Sequence, residues 1–172
     1  MAINKTVNEF TIPLEAYPHL QDDQTLQDAI NIVHLFACND YLQFAEVLIL
    51  NDKKQVIGQV TVHEILQGIE PRLLKKEENP DFEGLEIDYP NLAILWEDSF
   101  FKECHKRVDK PIKEFLSPIK ATVKASDPLL KALYIMTHTN ENNLPVLEDN
   151  KVVGMIRINE VFAAICSYCE LY

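Results

Sequence analysis

VVGMIRINEV, Val152 to Val161, is the stretch whose reading decides the fold. It reads as a short apolar strand, a glycine, a second apolar stretch and then a polar opening to a helix. An earlier stretch, VIGQVTVHEI from Val56 to Ile65, has the same layout. Two copies of one unit mean one architecture used twice. Aligned on Gly58 and Gly154, the residues Val62, Ile65, Leu66 and Ile69 fall on Ile158, Val161, Phe162 and Ile165. That is one apolar face at helical spacing in both copies. Thr61 falls on Arg157, and Glu64 on Glu160.

A second anchor lies upstream. Leu26, Ala29, Ile30 and Val33 fall on Leu129, Ala132, Leu133 and Met136, again at i, i+3, i+4 and i+7. Each unit is therefore read as two amphipathic helices flanking two strands. The first copy carries seven extra residues between its first helix and its glycine. Some sit in the turn Asn51-Asp52-Lys53-Lys54, the rest before it.

In order along the chain, Met1 to Glu9 is polar and short and reads as a frayed arm. Phe10 to Leu14 reads as an edge strand or a tie to the core, since Pro13 disfavours a central strand. Thr25 to Ala37 is the first helix. Val47 to Leu50 and Gln55 to Val60 form a hairpin, and a helix from Thr61 ends before Pro71. Glu77 to Asp98 holds eight acidic residues and no basic one, with Pro80, Gly84 and Pro90, so it reads as solvated turns. Asn91 to Arg107 is dense in apolar and aromatic residues and reads as a packed helix. Trp96, Phe100 and Phe101 are expected to dock on the module or on a second copy of the chain. Ile119 to Lys124 opens the second unit as a strand. Pro128 then starts a helix with Asp127 or Ser126 as its cap. Val146-Leu147 and Val152 to Ile156 make the second hairpin, and Ile158 to about Tyr168 the last helix.

The length of 172 residues suits one domain or two small ones sharing a core, and 47% hydrophobic residues can fill it. A net charge of −11 argues against DNA, because phosphate contacts need clustered Lys and Arg. No apolar run approaches membrane-spanning length, and MAINKTVNEF lacks the apolar region of a signal peptide. The four cysteines are expected to stay reduced, in a cytoplasmic setting.

The ordered, repeated pieces resemble a tandem pair of cystathionine-β-synthase (CBS) domains. In the second unit the resemblance is carried by Asp127-Pro128-Leu129 with Ala132, by Leu144-Pro145-Val146, by Lys151-Val152-Val153-Gly154 and by Glu160. In the first it is carried by Thr25-Leu26 with Ala29, by Val56-Ile57-Gly58 and by Thr61-x-x-Glu64. The expected fold is α+β, two β-α-β-β-α repeats around a pseudo-twofold axis with a partly helical insert. The expected division is an arm over 1–11, repeat one over 12–69, the insert over 70–114, and repeat two over 115–172. Pairing buries strand surface that each unit alone leaves wet, and it leaves two clefts beside helix starts that favour phosphate.

The resemblance implies a regulatory module that binds an adenine nucleotide (AMP, ADP or ATP) or S-adenosylmethionine, with no required cofactor and no metal. In the family, an acid after the glycine accepts from the ribose hydroxyls, and a preceding hydroxyl meets a phosphate or ribose oxygen. Here the first unit offers Gly58, Thr61 and Glu64, an acid one methylene longer than usual. The second offers Gly154, Arg157 and Glu160, with a guanidinium suited to clamping phosphate in place of the hydroxyl. Tyr17, Pro18 and His19 fall on Lys120, Ala121 and Thr122 at the first strands, where the family's chain lines the cleft. Leu144-Pro145-Val146 is where its backbone reads the adenine edge. The resemblance also implies a homodimer through the helices and an effector protein on another chain.

Each of these residues also has a structural reading. Tyr17 reads equally as a packed aromatic before a proline turn. Thr61-x-x-Glu64 is also a capping box. Arg157 reads as a strand-end cation paired with an acid, and Leu144-Pro145-Val146 as the start of a buried strand. The competing function is a ligand-free interaction module that uses the insert as its binding surface. No catalytic constellation stands out: the histidines at 19, 34, 63, 105 and 138 have no triad or zinc-protease spacing, so the chain is read as no enzyme. His34 and Cys38 are four apart, and Cys166-x-x-Cys169 is a CxxC without a partner pair, a weak metal or thiol signal.

Overall fold

A computed structural model describes residues 5–37, 46–71 and 102–169. The elements are β1 (Ile12–Pro13), β2 (His19–Gln21), α1 (Leu26–Ala37), β3 (Glu46–Leu50), β4 (Val56–Thr61) and α2 (Val62–Ile69) in the first half. The second half holds β5 (Val123–Lys124), α3 (Leu129–Thr139), β6 (Asn143–Glu148), β7 (Lys151–Arg157) and α4 (Ile158–Tyr168). Residues 102–107 are also helical; most of the segment expected to be helical, with Trp96, Phe100 and Phe101, lies outside the described residues.

The two units repeat in register. β2 runs parallel to β3, with Leu20 opposite Ile49, and β5 runs parallel to β6, with Val123 opposite Val146. In the hairpins Ile49 faces Gly58 and Val146 faces Gly154. A register shift follows at once in both, between Ile49 and Leu50 and between Val146 and Leu147. Of the seven extra residues in the first unit, six therefore lie between α1 and β3 and one in the hairpin turn. The tighter second turn puts Asp149 and Asn150 at positive φ, 48° and 61°, as a two-residue hairpin connection requires.

Helix starts are made locally. The Thr25 N–H donates to the Asp28 carboxylate at 2.8 Å, and the Thr61 N–H to Glu64 at 2.8 Å. The second unit departs from expectation. Neither Asp127 nor Ser126 caps α3; Pro128 holds the cap position without a side-chain bond. The Asp127 carboxylate turns back instead to the Lys124 N–H at 3.0 Å and the Lys131 ammonium at 2.9 Å.

The arm is not frayed from Lys5 onward. Val7 is fully buried in the core of the second unit, and Val7 N–H and Asn8 N–H donate to the carbonyls of Asp127 and Ala125. Ile12 and Pro13 then pair with Met155 and Gly154 of β7, which is the edge strand expected there. A matching segment precedes the second unit and docks on the first. Ile112 is fully buried in the first unit's core, its N–H donates to the Gln24 carbonyl, and Ser117 bridges Gln59 of β4. Both segments carry a short 3-10 helix, Val7-Asn8-Glu9-Phe10 and Ile112-Lys113-Glu114-Phe115. The lead-ins are thus exchanged: each completes the unit it does not precede.

Three cores result. One packs β2–β4 under α1 and α2, and one packs β5–β7 under α3 and α4. The third joins the units through Leu14, Tyr17, Leu48, Leu50, Val152 and Met155. All of β3 is buried, because helices cover one face and the other sheet covers the other.

Candidate functional site

The seam between the sheets is where the family resemblance leads one to expect a ligand. Strand register brings two pairs of residues there. Glu46 faces Thr61 across the first hairpin, and Asn143 faces Arg157 across the second. Glu46 and Asn143 are equivalent under the repeat, and Asn143 hydrogen-bonds to the Glu46 carboxylate. The pseudo-twofold axis therefore passes through a polar contact between the units.

Tyr17 closes the same spot from the first unit. Its ring is only 2% exposed, and its hydroxyl donates to Glu46 Oε1 at 3.0 Å. Burial, then the neighbouring Glu46, push the Tyr17 hydroxyl far above its usual range, while Arg157 and Glu160 also act on it. Tyr17, Glu46, Arg157 and Glu160 thus share one neighbourhood. Desolvation pushes the Glu46 carboxyl up, against the opposing hydrogen bonds from Tyr17 and Asn143, and Glu141 adds to the rise. Arg157 forms a two-pronged pair with Glu160: Nε donates to Oε2 at 2.9 Å, and Nη2 to Oε1. That pairing raises the guanidinium further.

The first unit's motif is satisfied differently. Glu64 accepts from the Thr61 N–H at 2.8 Å, from the Thr61 hydroxyl and from the Ser117 hydroxyl at 2.7 Å. Partial burial raises its carboxyl, but these bonds together outweigh it and hold Glu64 below the usual carboxylate range. Ser117 comes from the exchanged lead-in. At the equivalent place in the second unit stands Ile12, which has no hydroxyl to offer, and Glu160 pairs with Arg157 instead.

The remaining sequence candidates fall as follows. Pro18 is buried, and its carbonyl accepts from the Leu48 N–H at 3.0 Å. His19 is half-buried, with Nδ1 2.8 Å from the Tyr17 carbonyl oxygen. Thr122 is half-buried just before β5. Leu144 and Val146 point into the helix-covered core of the second unit, so at the seam side only backbone and the buried Pro145 of that triplet remain. The Tyr17 ring is packed in the inter-unit core; what it turns toward Glu46 is its hydroxyl. Sequence reasoning missed Glu46, Asn143 and Ser117. An acid opening the apolar run Val47 to Leu50 was the available signal for Glu46.

Among the described residues no group of three His, Cys, Asp or Glu is arranged to hold a metal ion. Cys38 lies outside them; Cys166 is half-buried and Cys169 exposed, both as free thiols. Also among the described residues, no helix is long and apolar enough to cross a membrane.

Comparison with known proteins agrees with this geometry. A family model for the CBS domain matches residues 112–167. No curated protein sequence matches the chain. Among solved structures, a CBS domain-containing protein from Kribbella flavida superposes with a TM-score of 0.69 at 15% identity, over 93% of this chain and 97% of that one. CBSX2, solved in complex with AMP, gives 0.62 at 17% identity over 95% and 98%. CbpB, solved in complex with c-di-AMP, gives 0.61 at 15% identity over 99% and 93%. Residues 112–167 are a CBS domain, and the chain as a whole has the fold of a tandem CBS pair.

Proposed function

We propose that this chain is a regulatory module that binds an adenine nucleotide at the seam beside Arg157 and Glu160 and passes the resulting change to a partner protein. The observation that carries the reading is that the buried Tyr17–Glu46 pair of one unit lies within electrostatic range of the Arg157–Glu160 pair of the other. A guanidinium beside the start of α4 suits a phosphate, and Glu160, once displaced from it, can accept from ribose hydroxyls. Thr61, Glu64, Thr122, Pro18, His19 and the backbone at Leu144-Pro145-Val146 are the remaining proposed contacts. AMP, ADP, ATP and S-adenosylmethionine are the ligand classes to compare. The complexes of CBSX2 with AMP and CbpB with c-di-AMP support the class and add the dinucleotide. The module acts without catalysis, and repeats one and two, with the insert between them, are its working parts.

A second reading, an interaction module, has its own support: Leu130, Tyr134 and Phe162 stand exposed on α3 and α4. The same residues suit the homodimer through helices that the family resemblance implies. Thermal melting of the whole chain with each ligand separates the readings. A ligand at a hundredfold excess over its dissociation constant stabilises by about 2.7 kcal/mol. A shift for one of these ligands, lost in Glu160→Ala, supports the sensor. No shift from any of them leaves the interaction module.

A further inference from the structure

Glu46 is a carboxyl group where a carboxylate is out of place. It is 8% exposed, sits on a strand buried on both faces, and lies at the contact between the two units. The groups around it come from every neighbouring element. Tyr17 donates from the segment before β2, and Asn143 donates from β6. Glu141, in the loop before β6, repels it while forming its own pair with Lys120 at 2.5 Å. Arg157 and Glu160, from the end of β7 and the start of α4, act electrostatically on the Tyr17 hydroxyl that Glu46 accepts from. The cluster tolerates either state of Glu46. The Tyr17 hydroxyl is both donor and acceptor, so it can donate to a carboxylate or accept from a carboxyl.

A phosphate arriving at Arg157 changes this balance. It takes the guanidinium from Glu160 and leaves that carboxylate unpaired. It also adds negative charge of its own near the buried Glu46. A group that already resists ionisation then relieves the excess most readily by taking up a proton. We propose that binding of a phosphate-bearing ligand at this seam is coupled to uptake of a proton by Glu46, so that nucleotide occupancy is read together with acidity. The proposal rests on the nucleotide reading above. By linkage, acid must then tighten the same binding that drives the uptake.

Calorimetric titration of the full chain with AMP, in buffers of different ionisation heat from acid to neutral pH, measures the proton exchange directly. The expected result is that the chain takes up more protons on binding than Glu46→Gln does, by a fraction of a proton and never more than one. The dissociation constant should rise with pH by up to about tenfold per unit while Glu46 ionises. Glu46→Gln keeps the length and an acceptor for Tyr17 but cannot titrate; it should still bind, with the Glu46 share of the proton exchange lost and only the pH dependence of the AMP phosphate, whose second pKa is about 6, remaining. Tyr17→Phe, which removes a donor to the carboxylate, should move the uptake to higher pH. Proton exchange on binding that is the same in the unaltered chain and in Glu46→Gln overturns the coupling and leaves nucleotide binding standing. No binding of AMP at any pH removes the nucleotide reading for this ligand and the coupling with it.

Discussion

Gly58 and Gly154 hold the same place in the two hairpins, yet a methyl group meets different resistance at each. At Gly154 an added Cβ would sit 2.1 Å from the Ile12 carbonyl oxygen, which is backbone paired to β7 and cannot turn aside. At Gly58 the nearest atom is the Ser117 carbonyl oxygen at 3.1 Å, with the Leu116 side chain beside it. Gly154→Ala should therefore destabilise by about 1–3 kcal/mol and detach β1, as overpacking does. Gly58→Ala should cost clearly less. Melting temperatures of the two variants check the order, and equal losses would mean that β1 is not pinned on Gly154. These glycines were legible because the repeat aligns on them. Glu46 was not, because what distinguishes it is the company of Tyr17 and Asn143, which the fold brings from 29 residues upstream and from the other unit. Glu64 and Glu160 were found as a matched pair, but sequence alone could not say that Ser117 attends one and Arg157 the other.

At the scale of elements, long periodic pieces were the readable ones. α1, α3 and α4 follow from apolar spacing, and both hairpins from strands around a polar turn. β1, β2 and β5 have only two or three residues each and carry no period to read. The lead-ins escaped for the same reason, although Val-Asn-Glu-Phe and Ile-Lys-Glu-Phe echo each other. Their exchange makes a specific forecast. Ile112→Ala should cost about 2–5 kcal/mol, the range for truncating a buried isoleucine. Hydrogen exchange should rise first in α1, β3 and β4, the unit that precedes it in sequence. Val7→Ala, a smaller truncation, should loosen α3, β6 and β7 instead. Loosening of the adjacent unit in either variant would contradict the exchanged packing. The apolar stripe on the last helices also proved wider than its core. Ile65 and Val161 are buried, but Leu66 and Phe162 on the same stripe are 41% and 66% exposed.

For the whole molecule, that surplus apolar surface matters most. Leu130, Tyr134 and Phe162 form the outer side of α3 and α4, with the Tyr134 and His138 rings stacked at 3.8 Å between centroids. If the chain pairs through this side, Phe162→Asp should convert a dimer into a monomer by sedimentation without lowering the monomer's secondary structure. An unchanged sedimentation profile would move the contact elsewhere. The exchanged lead-ins carry a last consequence for how the chain comes into being. Residues 5–13 leave the ribosome long before their partner β7 exists, and the early half waits for residues 110–117 to seal it. Until synthesis has passed Ser117, the nascent chain holds an open groove beside β4, and β1 stays unpaired longer still, until β7 is made. Closure then comes in two steps, the first unit sealing when residues 110–117 emerge and β1 pairing only when β7 exists, and a ribosome stalled between the halves would present both sticky edges to the cell's chaperones.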